Sequence, residues 1–99
     1  MENVNTTEKV LLFFSKKHNL TKEDILSANR TNAVCMVRYM IFTYLHLNLK
    51  ISSYALAKIF NRHRINVLRG IRCFKHELKY NKDIRSKFYS LIDEYEQSL

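Results

Sequence analysis

"ISSYALAKIFNRHRINVLRGIRCF", residues 51–74, is the stretch whose reading decides the fold. It opens on two serines, whose hydroxyls can accept hydrogen bonds from first-turn amides, so Ser52 and Ser53 read as helix caps. Ala55, Leu56 and Phe60 then recur at the spacing that lines one side of a short helix. Asn61 follows, one of the few residue types that tolerates left-handed backbone. A longer helix begins near His63 or Arg64 and runs to about Lys79, with Val67, Leu68, Ile71, Phe74 and Leu78 at buried spacing. Short helix, tight turn and longer helix are the parts of a helix-turn-helix. At about 100° per residue, the second helix turns Ile65, Asn66, Arg69, Arg72 and His76 outward. Between Phe60 and Arg72 stand four arginines, one histidine and no acid. Clustered like charges repel, so stability does not ask for them; the outer face is expected to meet something negative. A plain solvated helix face is the alternative.

The rest of the chain agrees with helices. Its 99 residues, 46% hydrophobic, make one domain with a modest core. With no proline and one glycine, it lacks the turn residues that a hairpin-built fold needs. Thr6 or Thr7 is expected to cap a first helix carrying Val10, Leu11, Phe13 and Phe14 and ending near Lys16-Lys17-His18-Asn19. "LTKEDIL" (20–26) reads as a short second helix with Thr21 as cap and Asp24 in its first turn. After a polar break, a third helix from about Ala33 to Leu47 carries Val37, Met40, Ile41, Tyr44 and Leu45. Its greasy run invites comparison with a membrane span, but Arg38, His46, Asn48 and Lys50 interrupt it, so a central buried helix is expected. A last helix carries Ile84, Phe88, Leu91, Ile92 and Tyr95. The expectation is an all-α domain of about six helices over residues 1–99, with the helix-turn-helix at its centre.

Charge narrows the partner. Lys and Arg number 17 against 9 Asp and Glu, a net +8, and residues 61–88 hold nine of the bases against Glu77 and Asp83. A small domain this basic suggests nucleic acid first and an anionic membrane surface second. The acids gather at Glu23-Asp24 and at Asp93, Glu94 and Glu96, read as solvated faces. Cys35 and Cys73 show no paired spacing and read as buried, reduced thiols of a cytoplasmic protein. The N-terminus shows no charged-then-apolar signal pattern. Cys73 and His76 lie three apart but lack a second ligand pair, so no metal is expected. His18 and His46 read as surface or helix-end residues. No Ser/His/Asp set and no glycine-rich phosphate loop is present in the pattern, so neither an enzyme nor a cofactor is expected. Tyr39, Tyr44, Tyr54 and Tyr95 read as a core rim, which favours duplex over single-strand binding.

Four segments also carry a resemblance: "FFSKKHNLTKEDILSANR" (13–30), "VRYMIFTYL" (37–45), "IFNRHRINVL" (59–68) and "NKDIRSKFYSLI" (81–92). In this order, over about residues 6–96, the chain resembles the C-terminal DNA-binding domain of the bacterial replication initiator DnaA. The resemblance implies that family's tryptophan-repressor-like helix-turn-helix fold. It also implies that Arg30 enters a minor groove, that Arg38 contacts the DNA backbone, and that His63, Arg64 and Ile65 face bases. The family's signature is Arg-Asp-His-Thr/Ser-Thr-Val. This chain reads Arg62-His63-Arg64-Ile65-Asn66-Val67, keeping the ends and replacing the middle, which implies a different target from the family's box. The initiator's ATPase module is not in the sequence, so the resemblance implies a stand-alone DNA-binding module.

The expected function is double-stranded DNA binding through residues 52–76, assisted by the 29–38 loop, in sequence-specific control of transcription or replication. His63, Arg64, Ile65 and Asn66 would specify, with Arg62 beside them also on the DNA: arginine suits the O6/N7 edge of guanine, asparagine suits adenine, and isoleucine can touch a thymine methyl. Lys58, Arg38 and the basic 69–82 stretch, with Arg69 and Arg72, would hold phosphates. The partner is duplex DNA, with a replication or transcription protein as a second candidate. The protein is expected as a monomer or weak dimer, cytoplasmic and nucleoid-associated, away from membranes. The alternative is a protein-interaction module built on the same fold.

Overall fold

Three helix ends turn through left-handed backbone, at Asn19, Lys50 and Asn61 (φ 58°, 59° and 53°), and none of the three is glycine. The computed structural model describes residues 2–27 and 31–99, with side chains from Asn5 onward. In it six α-helices follow one another: α1 (Glu2–Lys17), α2 (Lys22–Leu26), α3 (Asn32–Thr43), α4 (Ser53–Ile59), α5 (Arg64–Tyr80) and α6 (Lys82–Gln97). The last turns of α3 widen into a π-helical stretch, Tyr44–Asn48. No strand occurs among the described residues. The all-α expectation is met, in the expected order.

The caps explain most boundaries. Thr21 and Asp24 form a reciprocal box at the start of α2, each side chain meeting the other's backbone amide at 3.1 and 2.9 Å. Ser52 Oγ accepts from the Ala55 amide at 3.1 Å, and Asn81 Oδ1 accepts from Ile84 at 3.1 Å while Asn81 also closes α5. At the end of α1 the amides of Leu20 and Asn19 reach the carbonyls of Ser15 and Lys16. Arg62 and Asn61 do the same to Ala57 and Lys58 at the end of α4. Both are Schellman closures, which place one residue in the left-handed region. The first helix starts earlier than expected. Thr7 is no cap: it sits on the buried stripe Thr7, Val10, Leu11, Phe14, so the same periodicity carries the helix back past it.

The core is layered around α3, buried almost all round as anticipated. Val37, Met40, Ile41, Tyr44 and Leu45 meet Val10, Leu11 and Phe14 of α1, Ile25 of α2, Leu56 and Phe60 of α4, and the inner faces of α5 and α6. Phe42 meets Phe60 edge-on at 4.9 Å, and Phe74 meets Phe88 at 5.1 Å, fixing α4 to α3 and α6 to α5. The C-terminal acids do more than face solvent. The buried Tyr44 hydroxyl donates to Glu96 at 3.0 Å, and Lys17 pairs with Glu94 at 2.5 Å, so α6 is tied to both α3 and α1. No helix among the described residues is long and apolar enough to cross a membrane.

The single glycine serves no turn. Gly70 lies buried inside α5, and a Cβ built there would sit 2.5 Å from Cδ1 of Tyr39 on α3. Its bare Cα lets α3 and α5 approach closely. At about 1.5 Å per residue, the 17 residues of α5 span about 25 Å. That is most of a molecule measuring 31 × 28 × 25 Å.

Candidate nucleic-acid interface

The site is the α4–turn–α5 unit. Leu56 and Phe60 bury one side of α4, and the Asn61 closure reverses the chain in four residues before α5 begins at Arg64. The expected sides of α5 hold. Val67, Gly70, Ile71 and Phe74 face the core, and Leu78 is half-buried. Ile65 is 62% exposed, and His63, Arg64, Asn66, Arg69, Arg72 and His76 are all exposed. An isoleucine left that far out at the head of a helix gains nothing from the core; it is available to an incoming surface. Lys58 is exposed on the last turn of α4, and Lys75, Lys79 and Lys82 extend the positive edge. No ion pair between any of these bases and an acid forms among the described residues.

Two open clefts flank the turn. One, of about 440 Å³, is lined by Ala57, Asn61, Arg62, His63 and Asn66. The other, of about 450 Å³, runs between α3 and α5 past Cys35, Arg38, Tyr39, Phe42, Arg62, Asn66 and Arg69. Asn66 and Arg62 border both.

The arginines divide into two kinds. Arg38 is only 3% exposed. Its Nε donates to the Ile25 carbonyl at 2.8 Å and one terminal nitrogen to the Ser27 carbonyl at 3.1 Å. The arginine that the resemblance assigns to the DNA backbone is thus engaged within the protein, while it also borders the cleft between α3 and α5. The carbonyls left open at the end of α2 receive the guanidinium. Arg62, half-buried, donates to the same Ser27 carbonyl. One carbonyl therefore joins α3, the turn, and the root of the 28–30 segment. Arg30 lies outside the described residues. Arg64, Arg69 and Arg72 remain at the surface.

Three further readings change. Tyr54 is not core rim but 70% exposed, with the Arg64 guanidinium 4.2 Å from its ring centroid. The signal was present, because Tyr54 stands two residues before buried Leu56 and two residues rotate a helix almost to its opposite side. Ser53 was read as a cap, but Ser52 caps; Ser53 is buried and accepts from Arg64 Nε at 3.0 Å. Cys73 is exposed and Cys35 half-buried, so neither is the buried thiol expected, and both are free. Tyr39 has its hydroxyl pushed up, first by burial and then by the neighbouring thiols.

His18 and His46 each bind a backbone carbonyl at a helix end, that of Phe14 at 2.7 Å and of Ile51 at 2.9 Å. With a carbonyl as partner, Nδ1 must be the donor in both. His76 packs at 4.7 Å on Tyr80. No three His, Cys, Asp or Glu side chains gather as a metal site among the described residues. Compared with known proteins, the chain matches no family model and no curated protein.

Proposed function

We propose that this domain binds double-stranded DNA by laying the first half of α5 in the major groove, as a sequence-specific regulator of transcription or replication without ATPase activity. The observation that carries the proposal is the outer face of α5. Ile65, Arg69 and Arg72 stand exposed on one stripe whose opposite side is locked in the core, and Asn66 is exposed at its flank. In a helix-turn-helix the first residues of the second helix meet base edges while the flanking cations meet phosphates. The net charge of +8 supports the same partner. Arg69, Arg72, Lys58 and the 75–82 cations serve the backbone, while Arg38 and Arg62 brace the platform. Arg30, by its place in the resemblance to the DnaA domain, reaches the adjacent minor groove. That kinship is itself part of the proposal.

Titration of labelled duplex at several salt concentrations tests it. With about five to seven phosphates neutralised, log affinity should fall with log salt at a slope of about −0.9 per contact. Absence of binding even at low salt would refute duplex recognition.

The second reading, a protein-interaction module, has one observation in its favour. An apolar cleft of about 230 Å³ between α3 and α6, lined by Leu20, Ala33, Met36, Val37, Met40 and Ile84 with His18 and Lys87, opens away from the turn. Its lining residues on α3 lie opposite Cys35, Arg38, Tyr39 and Phe42, so a side chain seated there would leave α5 uncovered.

A further inference from the structure

Arg64, the first residue of α5, is held from two directions by α4. Its Nε donates to Ser53 Oγ at 3.0 Å, and its guanidinium stacks 4.2 Å from the Tyr54 ring centroid. Ser53 is only 6% exposed, so that hydroxyl is a fixed acceptor. Tyr54, 70% exposed, contributes little to the core. The two terminal nitrogens of Arg64 make no hydrogen bond among the described residues, and no acid pairs with it. The side chain is thus oriented at one edge and open at the other.

An arginine normally loses considerable rotamer freedom when it binds. Stacked and bonded beforehand, Arg64 has lost much of it on folding, and its remaining pair of parallel donors matches the O6 and N7 acceptors of one guanine. Its place in the first turn, beside exposed Ile65 and Asn66, is where a recognition helix meets bases.

We propose that Ser53 and Tyr54 hold Arg64 as a guanine reader, so that the target duplex carries a G·C pair opposite the first turn of α5. Tyr54 is then a positioning residue. This rests on the duplex-binding reading above.

The test starts by selecting bound sequences from random duplex DNA with the full chain. Each guanine of the selected site is then replaced, one at a time, by 7-deazaguanine, which lacks the N7 acceptor. One such replacement should weaken the wild type about tenfold and leave Arg64→Ala unaffected. Tyr54→Ala should lose most of that dependence while keeping its melting temperature and its salt slope, and Tyr54→Phe, which retains the ring, should keep it. Two results on the variants overturn the proposal. In one, Arg64→Ala weakens all sequences equally and lowers the salt slope by about one, the mark of a phosphate contact. In the other, guanine dependence is undiminished in Tyr54→Ala. A wild type that binds duplex without an Arg64-linked guanine defeats this proposal alone, whereas a wild type that binds no duplex at low salt defeats it together with the function it rests on.

Discussion

Replacing Gly70 by alanine sets two known effects against each other. In an unobstructed helix, alanine stabilises relative to glycine by about 1 kcal/mol, because glycine loses more backbone freedom on folding. Here the added methyl would lie 2.5 Å from Cδ1, 2.8 Å from Cε1 and 3.2 Å from Cγ of Tyr39. Cγ is the root of the ring, so a rotation about the ring axis does not clear the clash; the Tyr39 side chain must swing aside about χ1 or α3 and α5 must separate. Overpacking of this kind costs about 1–3 kcal/mol. The net effect is a destabilisation of up to about 2 kcal/mol, and a domain of this size loses about 4–8 °C in Tm per kcal/mol. Thermal and urea melts followed by circular dichroism would measure it. In a Tyr39→Ala background the obstruction is gone, and Gly70→Ala should become stabilising by about 1 kcal/mol. That change of sign is the coupling a double-mutant cycle reads. Stabilisation by Gly70→Ala in the wild-type background would refute the close approach.

Arg38→Ala should destabilise by about 2–3 kcal/mol in urea titration, because the Ile25 and Ser27 carbonyls lose a charged donor, and Arg38→Lys should not restore a forked contact. Reduced duplex affinity at unchanged stability would make Arg38 a direct DNA contact instead. Tyr44 has its hydroxyl pKa pushed up from 10.0, first by burial and then by the bond to Glu96, so folding favours the protonated phenol. Its contribution is therefore complete below about pH 10 and lost as pH rises beyond it, and Tyr44→Phe should flatten the decline of urea midpoints above about pH 10, where a phenol in the unfolded chain begins to ionise and the folded one does not. On DNA, the chain should bind the DnaA box no better than random duplex of equal length; a tenfold preference for the box, ~1.4 kcal/mol, would contradict this.

What could be read from the sequence was local. Asn61, the Thr21–Asp24 box and the Val67–Ile71–Phe74 stripe each involve residues within a turn or two of one another, so spacing alone placed them. What could not be read depends on contacts between distant segments. Gly70 acquires its role only where α3 crosses α5, and nothing near it in sequence names Tyr39. Arg38 was assigned to the DNA backbone by the resemblance, and nothing near it in sequence names the α2 carbonyls that receive its guanidinium. Tyr44 and Glu96 are 52 residues apart, so the acid that ties them passed for a solvated one. Among the candidate base readers, exposure was legible from periodicity, but the bracing of Arg64 by α4 was not.

These two classes of residue explain how a binding specificity could change without loss of the fold. On α5 the residues that hold the platform (Val67, Gly70, Ile71, Phe74) and those that face outward (Ile65, Arg69, Arg72) occupy opposite sides of one helix, with exposed Asn66 on the flank between them. Substitutions on an outer face usually move stability by no more than about 0.5 kcal/mol, whereas each base contact altered is worth about 1–3 kcal/mol in discrimination. Replacing His63, Arg64, Ile65 and Asn66 together by Asp, His, Thr and Thr should therefore leave the helix-turn-helix standing and recover part of a preference for the DnaA box. Arg64 is the one member of that set with bonds into α4, so its loss is the only step expected to be felt in the platform as well. A fourfold variant that melts like the wild type but binds neither sequence would mean that the outer face of α5 is not presented to a groove, and would return the function to the apolar cleft between α3 and α6.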